Sequence, residues 1–463
     1  MADNENTEKP RRKWKFLQIL VLLLVFIIAG FMGFRLVLKS KLNARLDAIR
    51  AAGYPATCAE LDAWYTIPES AENAADTFRD SFSHYNKWEE DKKRKLLPIV
   101  GEAELPLRTE PLTEETKALI TQYLADNRQA LELLHKGAAI EHSRYPVDLS
   151  KGFEVLMPDL SNIGDGAKLL TLEAVLHAEN GKPEQAVDSI TSAFGLACSL
   201  SKEPLIISQL IRNACQALAV STLEHTINRT EFTDEQLADL SRTFINAEDP
   251  SAMTRAFVGE RCAGLSIFKM PATQIPRMID GGSSPLAVVA IALYKFSGLA
   301  DMDAAIYLDL MGDYIKAIQL PSQQRQEAAD AVDARIEKTS RIHMLLYIIM
   351  PALSRCNTID IRTTAQLRTA LAGLAIERYR LATGKLPDTL AELTPTYLEV
   401  VPKDPFDGKD LRYKKLETGF VVYSIGEDGN DDGGKEKPRE RTKPPAPEDV
   451  TFIVLRKESQ GQR

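Results

Sequence analysis

The pattern of apolar and polar positions begins with a long apolar run near the N-terminus, KFLQILVLLLVFIIAGFMGFR. From Phe16 to Phe34, Gln18 is the one polar residue. A helix rises about 1.5 Å per residue, so the run reaches the roughly 20 residues that cross a hydrocarbon core. It is longer than the apolar region of a cleaved signal peptide, and no Ala-x-Ala follows it. We predict an uncleaved transmembrane helix over residues 16–37 after a basic cytoplasmic tail over residues 1–15, with a cleaved signal peptide as the alternative.

Basic residues flank this run on both sides, and their distribution sets the expected orientation. Cytoplasmic flanks of membrane proteins carry the excess of Lys and Arg, and the upstream group is the tighter of the two. We therefore predict a single-pass protein of the bacterial inner membrane, with a cytoplasmic N-terminus and a periplasmic bulk. The basic residues are Lys9, Arg11, Arg12, Lys13 and Lys15 before the run, and Arg35, Lys39, Lys41, Arg45 and Arg50 after it.

Between residues 38 and 343 the apolar positions recur every three or four residues, which is typical of helices buried along one face. The segment PLTEETKALITQYLADNRQALELLHKG carries one such stripe, with Thr113 as a start signal and Gly137 as a stop signal. Farther on, Gly181 and Pro183 divide two helical stretches into an antiparallel hairpin. Its small residues resemble those of a tetratricopeptide repeat, but we find no convincing second copy. A helical hairpin in a bundle is therefore favoured over a repeat array.

The segment SPLAVVAIALY, from Ser284 to Tyr294, is apolar but too short to span a membrane. A helix that is apolar on all sides is usually buried in a protein core. We therefore predict a core helix for this segment.

The C-terminal region predicts a long helix followed by a short one. Leucines along one side indicate a helix over about residues 362–383. Gly384 supplies the left-handed residue that ends such a helix, and Pro387 blocks its continuation. A second, short helix is predicted at residues 390–393.

Three strands follow these helices in the predicted order. Apolar, β-branched and aromatic residues indicate strands at residues 411–416, 420–423 and 450–455, with Gly419 in the turn between the first two. The predicted fold class is mainly α. It comprises the N-terminal transmembrane helix, a large helical-bundle domain over residues 38–343, and a small α+β domain with an antiparallel sheet over residues 344–463.

Three stretches of the C-terminal region, ERYRLATGKLP, YLEVVPKDPFDG and VVYSIGEDG, carry a family resemblance. In order and content they resemble the head of the major pseudopilin of type II secretion systems. The stretch LLYIIMPALS before them resembles the buried half of a pilin helix, including its proline. The resemblance implies a pilin-like head. A pilin's processing site and following Glu are missing here, and the anchor lies far from the head, so we do not expect processing or polymerisation as a pseudopilin.

Two stretches nearer the N-terminus, LDAIRAAGYPATCAELDAWY and YPVDLSKGFEVLMPDLSNI, carry a second resemblance. They resemble segments of uncharacterised bacterial envelope proteins that have an N-terminal anchor. This resemblance agrees with the predicted location and implies no chemistry.

In the pseudopilin family the loop that corresponds to the end of the stretch VVYSIGEDG and the residues after it binds calcium. The resemblance therefore implies a calcium site in the acidic loop at residues 424–434, SIGEDGNDDGG. Calcium takes roughly 6–8 oxygen ligands, which Asp and Asn side chains on a Gly-rich backbone supply. The alternative is a solvated acidic turn without metal. The candidate ligands are Ser424, Asp428, Asn430, Asp431 and Asp432.

Charge and cysteine content narrow the classes of partner. The chain of 463 residues has a formal net charge of −8, which argues against nucleic acid because phosphate binding needs a dense basic face. Its five cysteines are far apart and odd in number, so neither a tetrahedral metal site nor a redox pair is supported. We predict that most of them are buried as small hydrophobic side chains. One or two disulfides are the alternative outside the cytoplasm.

The histidines fall in no metal-ligand motif. Neighbours such as Glu141 and His142, or Glu224 and His225, point to different sides of a helix, so neither pair forms an acid–base couple. The sequence contains no Gly-x-Ser-x-Gly elbow and no phosphate-binding Gly-rich loop. We predict structural roles for the six histidines, His84, His135, His142, His177, His225 and His343.

These observations predict a non-catalytic, membrane-anchored envelope protein. It would act as a scaffold or binding module for protein partners in the envelope, linked to a secretion or pilus-like assembly. One alternative is a pseudopilin-related component of a type II secretion system. The other is an envelope enzyme whose active site carries no recognisable motif.

Overall fold

The computed structural model describes residues 9–88, 92–280, 282, 284–338, 343–350, 353–436 and 449–455. Within these residues the chain forms sixteen α-helices, three short 3-10 helices and one three-stranded antiparallel sheet. The predicted fold class is confirmed. The protein is mainly helical, with one long apolar helix at the N-terminus and a small sheet near the C-terminus.

The α-helices follow one another in this order: α1 (Lys9–Ala51), α2 (Cys58–Trp64), α3 (Ala74–Ser83), α4 (Glu114–Asp126), α5 (Arg128–Ala138), α6 (Leu160–Glu179), α7 (Pro183–Cys198), α8 (Ile206–Ile227), α9 (Asp234–Ala247), α10 (Ala252–Lys269), α11 (Ile275–Asp280), α12 (Pro285–Ser297), α13 (Leu299–Ile318), α14 (Ser322–Glu337), α15 (Met344–Ile349) and α16 (Ser354–Thr383). The 3-10 helices are Lys92–Leu96, Leu149–Glu154 and Leu390–Leu393. The strands are β1 (Arg412–Leu416), β2 (Gly419–Ser424) and β3 (Val450–Leu455).

Helix α1 is one continuous helix of 43 residues whose two halves have different surroundings. The first half has a mean hydropathy of 2.7 over its most apolar 18 residues, and none of that window is buried in the protein. It contains the predicted span over residues 16–37 and is long and apolar enough to cross a membrane. The second half packs Leu42, Leu46 and Ile49 against the body. The tail predicted over residues 1–15 lies partly outside the described residues.

The stripe predicted as one helix is divided at Asn127 into α4 and α5. The predicted start is confirmed, since the Thr113 hydroxyl accepts the backbone N–H of Thr116 at 3.1 Å. The buried Asn127 side chain accepts the N–H of Asn86 at 2.7 Å and donates to the Asn86 carbonyl at 3.0 Å. These two bonds tie the Asn127 side chain to the loop that contains Asn86. They therefore favour a break at Asn127 over one continuous helix.

The predicted helix stop at Gly137 is wrong, because α5 continues through this residue to Ala138. A Cβ atom at Gly137 would lie 2.7 Å from the Phe78 ring on α3. The glycine therefore serves the close packing of α3 on α5. The hairpin predicted around Gly181 is present as α6 and α7, which pack against each other and against α8.

Two hydrophobic clusters form the core. The first joins α3 to α9 with α16 and the sheet. The second joins the end of α1 to α10, α13, α14 and α15. The first cluster continues across the domain boundary predicted at residues 343–344, since α16 packs on α8 and α9. Pro351, the proline of the pilin-like stretch, lies outside the described residues.

The C-terminal elements match most of the predicted order. Helix α16 ends at Gly384, whose φ is 72°, but it begins at residue 354, earlier than predicted. The sheet has the order β1-β2-β3, with Leu416 opposite Gly419. Gly419 is therefore the first residue of β2, not part of the turn as predicted. A Cβ atom there would lie 1.9 Å from the Val454 carbonyl oxygen, so the approach of β3 requires glycine.

The outer edge of β3 is covered by the side chains of Glu224 on α8 and of Asn228, which directly follows α8. The Ile453 N–H donates to Glu224 Oε1 at 2.7 Å, and the Leu455 N–H donates to Asn228 Oδ1 at 2.6 Å. Asn228 Nδ2 donates in turn to the Ile453 carbonyl at 3.0 Å. An uncovered edge strand invites pairing with another chain. Here two side chains of the helical body occupy that edge.

The prediction that the segment from Ser284 to Tyr294 lies in the core is wrong. The segment is helical, as α12, but Ile291 is its one buried residue. Val288 and Tyr294 are half-buried, and the other large apolar side chains, Leu286, Val289, Leu293 and Phe296, are exposed. The cysteine prediction is confirmed, since Cys58, Cys215 and Cys262 are buried, and all five cysteines are free.

Candidate functional site

The acidic loop leaves the end of β2, where the first predicted ligand, Ser424, is fully buried. Ser424 Oγ donates to Asp404 Oδ1 at 2.8 Å and accepts the N–H of Gly426 at 3.3 Å. The N–H of Ile425 donates to Asp404 Oδ2 at 3.0 Å. In this arrangement Ser424 fastens the loop to the segment that precedes β1.

Asp404 organises this corner of the sheet and was not singled out from the sequence. Its fully buried carboxylate also accepts the N–H of Phe406 at 2.9 Å and Arg412 Nη1 at 2.6 Å. Arg412 pairs as well with Asp407, and its Nε lies 3.9 Å from Asp431 Oδ2. A buried charge is stable when a guanidinium and several donors compensate it. The available signal was the close spacing of Asp404, Asp407 and Arg412.

Three of the predicted ligands make short-range turns within the loop. Asp428 accepts the N–H of Asn430 at 3.1 Å and the Asn430 side-chain amide at 3.0 Å. Asp431 accepts the N–H of Gly433 at 2.9 Å. Side chains of this kind commonly bond to backbone groups two residues on. The side-chain oxygen atoms of Asp428 and Asp431 thus bond to groups of the loop itself and hold its shape.

Asp449, just before β3, closes the loop and was also missed from the sequence. Its buried carboxylate accepts the N–H of Asp432, the last predicted ligand, at 3.4 Å and that of Gly434 at 2.8 Å. Burial, with the nearby charges of Asp432 and Asp431, raises the pKa of Asp449. Among the described residues no group of three or more His, Cys, Asp or Glu is arranged to hold a metal ion. Calcium binding stays a prediction, and it requires these side chains to turn.

A second polar cluster lies between α5, α6 and α7. His135 Nδ1 is 2.7 Å from Ser192 Oγ, and His135 Nε2 is 2.8 Å from Glu173 Oε2. Ser189 donates to the same carboxylate at 2.7 Å, and His177 Nε2 lies 3.9 Å from its other oxygen. Burial opposes the charge, but hydrogen bonds from His135, His177 and Ser189 lower the pKa of Glu173 to about 2. Glu173 therefore carries a negative charge between two imidazoles.

The order Ser192, His135, Glu173 is that of a nucleophile, its base and the acid that orients the base. A groove of about 460 Å³ adjoins the cluster and is lined partly by Ser192, His135 and His177. Ser192 lies in the third turn of α7, where backbone N–H groups donate within the helix. Those groups are not available to stabilise an oxyanion. The cluster therefore joins three helices and is able to move a proton. Helix α7, which carries Ser192, offers no pair of N–H donors for an oxyanion.

A cleft of about 330 Å³ lies where the ends of α2 and α7 meet α10. Lys202, Arg255 and His142 line it together with Glu141, and Trp64 supplies an aromatic wall. Arg255 is held in place because its Nη2 donates to the Ser201 carbonyl at 2.8 Å and pairs with Asp249. A cavity of this size with a few placed polar groups is typical of a small-molecule site.

Polar groups without protein partners lie at this cleft, whose lining includes Tyr65 and Ser143. The Tyr65 and Ser143 hydroxyls and Glu203 Oε2 are buried and have no hydrogen-bond partner among the described residues. The Tyr65 hydroxyl lies near the Tyr145 backbone N–H, but not in hydrogen-bond geometry. Burial raises the pKa of Glu203 to about 7. Unpartnered buried groups are rare in proteins and often accompany function.

The histidine cluster and the cleft were missed from the sequence because their members are far apart along the chain. His135 and Ser192 are 57 residues apart, and they meet only when α5 packs on α7. One signal was available in LLTLEAVLHA, where Glu173 is a charged residue within an apolar helix. A charge in such a position needs a partner, although the sequence does not name it.

Comparison of the chain with models of protein families, with curated proteins and with solved structures found no match.

Proposed function

We propose that this protein is a single-pass, membrane-anchored and non-catalytic envelope protein that acts as a scaffold or binding module. The observation that carries the proposal is the double character of α1. Its first half is apolar and uncovered, and its second half is packed into the body without a break. An uncovered apolar helix of this length is expected in lipid, where its backbone hydrogen bonds are internally satisfied.

Polar contacts support a rigid joint between anchor and body. Arg35, the first charged residue after the apolar run, pairs with Asp301 at 3.0 Å. Arg45 forms two bonds of 2.8 Å with the carboxylate of Asp309. Paired Arg–carboxylate bonds of this geometry fix orientation as well as distance. The body is thus expected to keep one orientation relative to the anchor.

Membrane fractionation tests the anchor. The full-length protein should stay in the pellet after an alkaline carbonate wash. We expect the variant L23K/I27K to be released, because each Lys at a helix centre costs roughly 2.5–3.5 kcal/mol of insertion. The matched variant L23A/I27A should remain bound. Wild-type protein in the supernatant would reject the proposal, and a mature N-terminus beyond residue 37 would favour the signal-peptide alternative.

The proposed location is the bacterial inner membrane, with the N-terminus in the cytoplasm and the bulk in the periplasm. The tighter basic group before the apolar run supports this orientation. Alkaline phosphatase fused after residue 463 should be active, because it folds only after export. A β-galactosidase fusion at the same place serves as the opposite reporter. Activity of the second fusion alone would reverse the orientation.

The binding role is assigned to the cleft between α2, α7 and α10. Lys202, Arg255 and His142 favour a small ligand that carries a carboxylate or phosphate group. We expect some members of a panel of small carboxylates and phosphate esters to raise the melting temperature. The variant Lys202→Ala should weaken that effect several-fold, and Lys182→Ala, at an exposed lysine outside the cleft, should not. Equal responses of the two variants, or no response of the wild type, would reject the cleft.

A link to a secretion or pilus-like assembly is the second part of the proposal. It is supported by the pseudopilin resemblance and by the order of one long helix followed by an antiparallel sheet. Polymerisation like a pilin is disfavoured, because α16 is packed on α8 and α9 and the edge of β3 is covered. Crosslinking in intact cells should recover assembly proteins with the wild type. Their absence would reject the link and leave the anchor untouched.

One observation favours an enzyme instead, namely the Ser192–His135–Glu173 cluster. We propose that it is structural, because Ser192 lies inside a helix that offers no oxyanion donor. A fluorophosphonate probe, which labels activated serines, should not modify the protein. Labelling that disappears in Ser192→Ala but persists in Ser189→Ala would establish a nucleophile and overturn the non-catalytic proposal.

A further inference from the structure

Helix α12 carries an apolar stripe that the body leaves uncovered. Leu286, Val289, Leu293 and Phe296 are 83%, 55%, 63% and 70% exposed, whereas Ile291 is 5% exposed. Spacings of three, four and three residues place the four exposed side chains on one side of the helix. Contiguous apolar surface of this kind marks an interaction site, whereas single exposed apolar residues are ordinary.

The stripe is continuous with the membrane anchor. The ring centroids of Phe296 and Phe31 are 5.4 Å apart. Arg35 Nη1 donates to the carbonyls of Lys295 at 2.7 Å and Phe296 at 3.1 Å. The end of α12 is therefore fastened to α1 at the point where the apolar run of α1 gives way to charge.

The depth of this contact follows from helix geometry. Phe31 precedes Phe34, the last residue of the apolar run, by three residues or about 4.5 Å along the helix axis. Phe296 thus lies just inside the expected edge of the hydrocarbon core. Interfacial helices bury their apolar faces roughly 5–10 Å into this boundary. Since α1 must be surrounded by lipid at this level, acyl chains are the expected neighbours of the stripe.

The ends of α12 agree with a helix that lies in the membrane surface. Its 13 residues are too few to span a bilayer. At Gly298 the chain turns by 76° into α13, which packs on α10 in the body. Lys295 Nζ donates to the Phe268 carbonyl at 2.8 Å and so directs its charge toward the body, away from the stripe.

We propose that α12 is an interfacial helix that rests in the lipid bilayer beside α1, with Leu286, Val289, Leu293 and Phe296 among the acyl chains. The inference rests on the proposed anchoring by α1 and adds a second point of attachment. A body joined rigidly to one helix still tilts together with that helix in the bilayer. A second contact fixes which face of the body is turned to the membrane.

The test uses the full chain reconstituted in phosphatidylcholine–phosphatidylglycerol vesicles that contain lipids with acyl-chain nitroxides. An environment-sensitive NBD fluorophore is attached at Leu293→Cys, and unsubstituted protein reports background labelling of the native cysteines. Ile245→Cys, at a residue 59% exposed on α9, is the matched control, and Val25→Cys marks the anchor. We expect the nitroxides to quench the label at residue 293 several-fold more than the label at residue 245. Leu286→Cys repeats the measurement at the other end of the stripe.

The outcomes separate this inference from the proposed function. Quenching at residue 25 with equal, weak quenching at residues 293 and 245 would overturn the interfacial helix and leave the anchor intact. Weak quenching at residue 25 would overturn the anchoring itself. If aqueous iodide fails to reach residue 293 and the nitroxides fail as well, protein covers the stripe. That result would overturn lipid contact in favour of a second copy of this chain.

Discussion

At the scale of single residues, Glu203 is the clearest case of a side chain whose chemistry is set by burial. It is 1% exposed, and enclosure raises its pKa to about 7, against about 4.3 in an unfolded chain. The folded protein therefore prefers the protonated carboxyl group. The contribution of Glu203 to stability is complete below about pH 4.3 and is lost as the pH rises through about 7.

We predict that Glu203→Gln changes the pH dependence of stability. Glutamine cannot ionise, so the variant should avoid a cost that grows to roughly 3 kcal/mol between about pH 4.3 and pH 7. Urea unfolding in detergent at several pH values should show the variant gaining on the wild type as the pH rises. Glu235→Gln, at an exposed position, is the control. A difference that is constant with pH would contradict the assignment.

The acidic loop offers the second prediction at this scale. Asp431, Asp432 and Asp449 are close enough for their charges to act on one another, and a divalent cation would relieve that repulsion. We expect calcium to raise the melting temperature of the full-length protein, since a ligand that binds the folded state stabilises it. The variant D431N/D432N should lose this rise, whereas Asp410→Asn should keep it. An unchanged wild-type melting temperature at millimolar calcium would leave a solvated turn.

At the scale of elements, the covered edge of β3 joins the sheet to the helical body. We predict that Asn228→Ala lowers the free energy of unfolding by about 1–3 kcal/mol, because a half-buried N–H and a half-buried carbonyl lose their partner. The amide of Leu455 should also exchange its hydrogen faster, since Asn228 Oδ1 is its acceptor. The control is Asn246→Ala, at an exposed position on α9. Equal stability of the two variants would show that the edge bonds contribute little.

The elements also show which parts of the fold the sequence reveals. Local signals succeeded at Thr113, Gly384 and β3, because a cap, a left-handed residue and β-branched residues act within a few positions. Composition did not predict the surroundings of α12, since a helix with an exposed apolar stripe and a core helix have the same apolar residues. Whether Gly419 belongs to a strand or to a turn depends on the position of β3, which is distant in sequence.

The site residues show the same contrast: neighbouring residues give a signal in the sequence, and residues that meet only through packing do not. The sequence pointed to the acidic loop through a run of neighbouring Asp and Gly residues. It did not point to Asp404 and Asp449, which hold the two ends of that loop from outside. Ser192 and His135 meet through helix packing, which no local pattern encodes.

At the scale of the whole molecule, the two hydrophobic clusters hold different parts of the chain together. The cluster that receives the end of α1 also contains α10 and α13, and α12 lies beside the apolar part of α1. The other cluster contains the sheet together with α5, α6 and α7, the helices that carry the histidine cluster. Helices α8 and α10 contact each other and connect the two. The end of α1 is therefore linked to the sheet through packed helices.

The pilin-like elements are integral to this arrangement, and we predict that they do not fold alone. Helix α16, where Leu374 and Ile376 are fully buried, packs on α8 and α9 as well as on the sheet, so a fragment of residues 354–463 would uncover the face of α16 that meets α8 and α9. The isolated fragment should lack near-ultraviolet circular dichroism and a cooperative melting transition. Co-expression with residues 205–248, which contain α8 and α9, should restore both. A fragment that melts cooperatively without them would mean that the head is an independent domain, and the covered edge of β3 would then be a docking contact between two domains.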